Sequence, residues 1–133
     1  MRILQKVKDG GSESTVDAYF LFEIKNLCSV AILKFNKGSR TNYHSHAFNA
    51  LTWFIKGKMV EHDISGTSKD YNKSFLPKLT KRNNFHKVVA EKTSWCLTIR
   101  GPWVKNWKEY NPQLNESYLL SNGRKILNKW KGI

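Results

Sequence analysis

The chain has 133 residues, of which 40% are hydrophobic and 13% aromatic, a composition that fits one folded domain over residues 1–133. No stretch approaches the roughly 20 apolar residues of a membrane helix, and the first residues lack the apolar run of a secretory signal, so we expect a cytoplasmic protein with no membrane partner. The 23 Lys and Arg against 10 Asp and Glu give a net charge of +13, which favours an anionic partner. Because the lysines are scattered and form no basic arm or helix, nucleic acid is less favoured than a small anionic molecule.

Short runs rich in β-branched and aromatic residues, separated by Gly, Asn, Ser and Lys clusters, predict an all-β antiparallel sandwich or barrel. Turns are predicted at 9–12 and 64–68, where Gly and Ser are concentrated. At the C-terminus, Ser121 is a candidate cap for a short helix carrying Ile126, Leu127 and Trp130 at helical spacing. The predicted strands, in chain order, are 2–7, 17–24, 28–36, 50–56, 58–64, 73–78, 85–90 and 93–100.

Two of the four histidines, His44 and His46, are separated by one residue. In an extended segment, residues i and i+2 point to the same face about 7 Å apart, so both imidazoles can converge on one metal ion. A helix would instead need a spacing of four. Exposed histidines, or histidines that are hydrogen-bonded for structural reasons, would give the same pattern, so this pair alone leaves both interpretations open.

The residues around this pair resemble the first motif of the cupin superfamily. Gly38, five residues, His44-x-His46 and then Gly57 match that motif, but its glutamate is replaced by Ala50 or Leu51. The second motif is looser: Pro77 and residues 81–86, ending in His86, stand in for Pro-x-Gly-x-x-His, and the final Asn is missing. More narrowly, the chain resembles small uncharacterised single-domain cupins of bacteria and their viruses over residues 18–110. The segments that match the motifs of that group are 44–49, 57–61, His86 and 95–102.

The resemblance implies a fold, a metal site and an oligomeric state. The fold would be the double-stranded β-helix, or jelly-roll barrel, with the short C-terminal helix closing one side. The metal ligands would be His44, His46 and His86, which hold one divalent transition-metal ion: Fe, Zn, Ni or Mn. We also expect a homodimer, because cupins commonly pair through sheet edges.

Further polar residues are candidates for the same cavity. Glu61 could be a fourth metal ligand, or it could hydrogen-bond a ligand without contacting the metal. His62 is the other candidate for the fourth position, but neighbouring residues on a strand face opposite ways, so only one of the two can point inward. Asn49 could hydrogen-bond a metal-bound water or orient His46. The candidates for ligand binding are Tyr43, Thr52, Thr98 and Arg100, although a surface position would also suit each of them. The guanidinium of Arg100 would suit a carboxylate or a phosphate.

Three functions remain open at this point. The favoured one is a metal-dependent enzyme acting on a small anionic molecule, an oxidoreductase of the dioxygenase type if the metal is Fe, or a hydrolase or isomerase using Lewis-acid chemistry if it is Zn or Ni. The alternative is a non-catalytic barrel that sequesters a nucleotide-like anionic ligand. A nucleic-acid-associated protein ranks third. Turnover is not established by the sequence, and no catalytic residue is assigned.

Overall fold

The computed structural model describes residues 1–11, 14–38, 42–121 and 124–133. These residues form antiparallel β-strands and no α-helix, so they contain no helix that is long and apolar enough to span a membrane. The predicted all-β class is confirmed. The strands are β1 (Arg2–Lys8), β2 (Val16–Ile24), β3 (Cys28–Phe35), β4 (Tyr43–His44), β5 (Ala50–Asp63), β6 (Ser68–Tyr71), β7 (Lys78–Thr80), β8 (His86–Arg100), β9 (Asn106–Asn111), β10 (Glu116–Ser121) and β11 (Lys125–Lys131).

Strands β5 and β8 are long and belong to both halves of the structure. The second part of β8 and the first part of β5 lie between β3 and β7, which gives the order β1-β2-β3-β8-β5-β7 in the first half. The first part of β8 pairs with the second part of β5 and with β4, and β6, β9, β10 and β11 complete the second half. Most of the buried core comes from the first half, through Ala18, Phe20, Ala31, Leu33, Phe54 and Cys96, and the paired Met59 and Ala90 add to it from the second half.

Gly57 is where β5 changes from one half to the other. Its φ is +113°, and a Cβ placed there would lie 2.5 Å from the Cα of Ser94. Only glycine fits this backbone and this close approach of β8. The hydroxyl of Ser94 accepts a hydrogen bond from the backbone N–H of Lys58 at 3.0 Å, which fixes the corner. The predicted strands 50–56 and 58–64 are therefore one strand bent at Gly57, and 85–90 and 93–100 are likewise one strand.

The predicted C-terminal helix is wrong. Residues 125–131 form β11, which pairs with β10 so that Ser121 faces Lys125 and Ser117 faces Trp130; residues 122 and 123 lie outside the described residues. Ile126 and Trp130 are four residues apart, which favours one face of a helix. In the strand, a register shift between Leu119 and Leu120 places Ile126 opposite Leu120 and Trp130 opposite Ser117. Hydrogen bonds to β10, which are not local in sequence, decide between the two.

Two other predictions need correction or qualification. Residues 72–77 form a loop, not the predicted strand 73–78, because the hydroxyl of Ser74 accepts the backbone N–H of Leu76 and Pro77 has no N–H to donate to a neighbouring strand. Strand pairing is shifted to β6, before the loop, and to β7, after it. The predicted turn at 9–12 is observed over 9–11, and residue 12 lies outside the described residues.

Candidate metal centre

The three histidines predicted as ligands lie together. His44 on β4 is directly opposite His86 at the start of β8, and His46 follows two residues after His44. The imidazole centroids are 4.9 Å apart for His44 and His46, 5.0 Å for His44 and His86, and 4.8 Å for His46 and His86. One ring nitrogen from each lies within 4.8 Å of the others, so the three histidines could hold a metal ion.

The donor atoms of His46 and His86 are well placed for a shared ion. Their Nε2 atoms are 3.2 Å apart. Two nitrogens bound to one tetrahedral ion at about 2.0–2.1 Å lie about 3.4 Å from each other, so this spacing fits a metal-binding pair. Such a pair requires neutral imidazoles. Burial, reinforced by the neighbouring His86 and Arg100, lowers the pKa of His46 to about 3, which keeps its ring neutral.

The outer nitrogen of His86 is held by a carboxylate. Nδ1 of His86 and Nζ of Lys78 both contact Oε2 of Glu61, and the hydroxyl of Tyr71 donates to Oε1 at 3.4 Å. Burial opposes ionisation of Glu61, but the hydrogen bonds from His86 and Lys78 outweigh it and lower its pKa to about 2. A carboxylate that accepts the Nδ1 proton leaves the Nε2 lone pair directed at the centre, the arrangement found behind metal-bound histidines.

His62 and Asn49 lie away from this centre. Nδ1 of His62 contacts the hydroxyl of Ser68 at 3.0 Å, on the face of β5 opposite Glu61. Asn49 is exposed, and its Oδ1 accepts the backbone N–H of Arg82 at 2.8 Å. Because the carbonyl of Arg82 accepts the backbone N–H of His46 at 2.8 Å, Asn49 reaches the centre only through the Arg82 backbone.

The three histidines line a cavity of about 460 Å³ inside the barrel. Glu61, Lys78, Thr52, Thr98 and Arg100 line it as well. Aromatic rings form much of its remaining wall. They are Phe20, Phe35, Phe48, Phe54, Tyr71, Trp103 and Trp107.

Solved structures of low sequence identity share this architecture. The chain is similar to a sugar phosphate isomerase of the cupin superfamily from Silicibacter pomeroyi, with 8% identity over 88% of this chain and 76% of that chain, at a TM-score of 0.58. Ectoine synthase from P. lautus has 14% identity over 72% and 70%, at 0.58, and an RmlC-like cupin from Shewanella frigidimarina has 15% over 74% and 84%, at 0.57. The chain has the cupin fold. No protein-family model matches the sequence, and no curated protein matches it.

Arg100 lies inside this cupin barrel but already has an acidic partner. It is 4% exposed, and its guanidinium contacts both carboxylate oxygens of Asp9, at 2.5 and 3.3 Å. The guanidinium carbon also lies 4.6 Å from the centroid of the Phe48 ring. The predicted anion-binding arginine is therefore inside the cavity with its charge balanced by Asp9.

The other predicted ligand-binding residues are divided between the cavity and the surface. Thr52 and Thr98 face each other across β5 and β8, and their hydroxyls are 3.2 Å apart in the cavity. Tyr43 does not line the cavity; its ring packs 6.4 Å from that of Tyr110, and Nζ of Lys87 lies 5.1 Å from its centroid.

Several charged residues of the cavity were not predicted from the sequence. Lys78 holds Glu61, and Asp9 holds Arg100. The buried Glu109 accepts hydrogen bonds from Arg124 at 2.7 Å and from Asn42 at 3.3 Å. Lys78 and Thr80 alternate along β7 and both point into the cavity. This pattern could have predicted an inward Lys78 only if the pairing of β7 with β5 had been known.

Proposed function

We propose that this cupin binds one divalent transition-metal ion through His44, His46 and His86 and is a metal-dependent enzyme acting on a small anionic molecule. The observation that carries the proposal is the convergence of three imidazoles, one of them supported by the Glu61 carboxylate, on the wall of a 460 Å³ cavity. Three nitrogen ligands leave coordination positions open toward that cavity.

The protein's own groups would have distinct roles. His46 stays neutral and offers a lone pair, while Glu61 and Lys78 orient His86. The bound ion would supply Lewis-acid chemistry if it is Zn, Ni or Mn, and oxygen chemistry of the dioxygenase kind if it is Fe. The aromatic wall would exclude water from the space beside the histidines.

The charges in the cavity favour a substrate with a single small anionic group. Of the seven cations among the described residues that line the cavity, five contact a carboxylate: Arg2 with Glu23, Lys8 with Asp17, Lys78 with Glu61, Arg100 with Asp9, and Arg124 with Glu109. These pairs balance much of the cationic charge that a polyphosphate would need. An anionic oxygen is therefore best accommodated at the histidine end, which supports the enzyme over the nucleotide-sequestering alternative.

Elemental analysis by mass spectrometry tests the metal site. Protein purified without chelators or an affinity tag would carry near-stoichiometric metal, and a His44→Ala/His86→Ala variant would carry none. His62→Ala, on the opposite face of β5, is the matched control and would keep the metal. The absence of metal from wild-type protein, even after incubation with Fe, Ni, Zn and Mn, would overturn the proposal.

Turnover is tested separately with metal-loaded and metal-free protein on a panel of small carboxylates and enols, with oxygen uptake and product mass as the readouts. Metal-dependent product formation would support the enzyme. Ligand affinity that is equal with and without metal, with no product, would instead identify a binding protein.

A further inference from the structure

Asp9, in the turn after β1, and Arg100, at the end of β8, both line the cavity. The backbone N–H of Asp9 donates to the carbonyl of Val16 at 2.9 Å, and the carbonyl of Asp9 accepts the hydroxyl of Ser14 at 2.5 Å. These two bonds fix the turn through main-chain atoms of Asp9. The carboxylate of Asp9 takes no part in them, and it contacts the guanidinium of Arg100.

Arg100 is a buried cation whose hydrogen-bond donors are only partly used. Its side chain is 4% exposed, whereas that of Asp9 is 30% exposed. Nη1 and Nη2 of Arg100 donate to the two carboxylate oxygens of Asp9 at 3.3 and 2.5 Å. Nε of Arg100 is buried and has no hydrogen-bond partner among the described residues. Because buried donors are nearly always paired, this N–H group is a candidate contact for a molecule bound in the cavity.

Trp103 supplies a second donor of this kind in the same part of the cavity. Its indole nitrogen Nε1 is buried and also lacks a hydrogen-bond partner within the described part of the chain. The Phe48 ring contacts both groups: its centroid lies 5.2 Å from that of Trp103 and 4.6 Å from the guanidinium carbon of Arg100. The same ring lies 5.8 Å from that of His46. Phe48 therefore connects the histidine end of the cavity to two donors that lack acceptors.

We propose that Asp9 is a specificity-determining residue: it makes the Arg100 end of the cavity a subsite for an uncharged hydrogen-bond acceptor and excludes a second anionic group. This inference rests on the proposed function, in which the single anionic group of the substrate binds at the histidine end. A second carboxylate would have to displace Asp9 or lie beside it as a like charge. A carbonyl or hydroxyl oxygen can accept from Nε of Arg100 and Nε1 of Trp103 without that repulsion.

Removal of the Asp9 charge should reverse this selectivity. Among the described residues, Asp9 is the one carboxylate in contact with Arg100. Without it, Arg100 is a buried guanidinium that a carboxylate of the ligand can bind through two parallel hydrogen bonds. Asp9 thus selects substrates by an unfavourable charge, which rejects dianions, and leaves the favourable contacts to the unpaired N–H groups.

Matched pairs of probes test the selectivity by calorimetric titration of metal-loaded protein. Succinate and glutarate are each compared with the corresponding monoamide, which has nearly the same shape and one carboxylate fewer. Asp9→Asn should shift the ratio of the two affinities toward the dicarboxylate by about tenfold or more, because a charge-assisted hydrogen bond replaces a neutral one. An unchanged ratio in both pairs would overturn the proposal.

Glu23→Gln is the matched control for removing a carboxylate from the cavity wall. The partner of Glu23 is Arg2, whose side chain is 39% exposed, so water solvates that cation when the carboxylate is lost. The affinity ratio of each probe pair should therefore stay at the wild-type value. A shift as large as that of Asp9→Asn would mean that the net charge of the cavity, and not Arg100, sets the selectivity, and would overturn the proposal.

Metal-free protein provides a second test that does not depend on the histidine centre. Asp9→Ala opens a space beside Arg100 for a small carboxylate, so sodium acetate should raise its Tm more than sodium chloride at equal concentration. Wild type should respond equally to the two salts, and an Asp9→Ala protein that does the same would overturn the proposal. If Asp9→Ala does not fold, the probe titrations of Asp9→Asn, which keeps the side-chain volume, decide alone. Stabilisation by acetate in a protein that never binds metal would refute the proposed function and leave the Arg100 subsite supported.

Discussion

Glu61 accepts hydrogen bonds from His86 and Lys78 through the same carboxylate oxygen. Its low pKa keeps the carboxylate ionised at neutral pH, so it holds the ring of His86 with its Nε2 lone pair toward His46. Glu61→Gln keeps the shape of the side chain and removes the charge. We expect the metal dissociation constant to rise about 10–100-fold, measured by competition with a chromophoric chelator.

The neighbouring residue on β5 provides the control for this change. His62→Ala removes a side chain that contacts Ser68 outside the cavity, so metal affinity should stay at the wild-type value. Lys78→Met should weaken binding in the same direction as Glu61→Gln, because it removes the second cation that holds the carboxylate. Unchanged affinity in Glu61→Gln would contradict a role for Glu61 in orienting His86.

Asp17 is a residue whose charge should affect stability at low pH. An ion pair with Lys8, at 2.9 Å, and a hydrogen bond from Asn36, at 3.1 Å, lower its pKa from the ordinary 3.8. The folded state therefore releases this proton more readily than the unfolded state, so the stabilisation is present above the unfolded pKa and is lost as pH falls through the folded value. Asp17→Asn should be less stable than wild type at neutral pH, and the difference should vanish in strong acid.

Urea unfolding followed by tryptophan fluorescence at a series of pH values measures this difference. Asp70→Asn, at an exposed position on β6, is the control for removing an acidic charge elsewhere. A constant gap between wild type and Asp17→Asn down to the lowest pH would contradict the proposed ionic contribution.

Only part of the metal centre and its surroundings could be predicted from the sequence alone. His44 and His46 are recognisable because their spacing places them on one face of an extended segment, and a resemblance to cupin motifs pointed to His86. Lys78 and Asp9 are distant in sequence from the groups they contact, Glu61 and Arg100. No local pattern predicts such contacts, because the strand register that creates them is set by the whole sheet.

At the scale of elements, the corner of β5 depends on glycine. Gly57→Ala requires a left-handed backbone in alanine and forces its Cβ into the backbone of Ser94. We expect a loss of about 2 kcal/mol or more in the free energy of unfolding, because the close contact adds to the backbone cost. Urea unfolding followed by tryptophan fluorescence measures the loss.

Gly66→Ala separates the two contributions. Gly66 has a φ of +100° but nothing within 4 Å of the added Cβ, so its replacement should cost only the backbone part, about 1 kcal/mol. Equal losses at the two positions would contradict the claim that the packing of β5 on β8 makes Gly57 necessary.

The C-terminal strands show where local sequence patterns fail for an element. Ile126, Leu127 and Trp130 match helical spacing, but β11 is completed by pairing with β10, and Oγ of Ser117 donates to the carbonyl of Gly132 at 2.5 Å. β1, β2 and β3 were predicted nearly to their ends because their alternation and turns are local. The helix prediction failed because the competing hydrogen bonds come from another segment.

For the whole molecule, a bound metal would connect segments that few hydrogen bonds hold together. β4 has two residues, His46 lies in the segment after it, and His86 begins β8. An ion that binds only the folded state stabilises it by about 2.7 kcal/mol when free metal is 100 times its dissociation constant. For a chain of this size we expect a rise in Tm of roughly 10 °C on metal loading, measured by calorimetry.

The histidine variant shows whether this stabilisation comes from the proposed centre. His44→Ala/His86→Ala should unfold at the same Tm with and without metal, and chelation of wild-type protein should remove the increase. Metal bound at surface carboxylates would raise the Tm of both proteins equally, and that result would contradict the link between the three histidines and the stability of the barrel. A rise confined to wild type would instead support the view that the ion holds β4 and β8 together in the folded barrel.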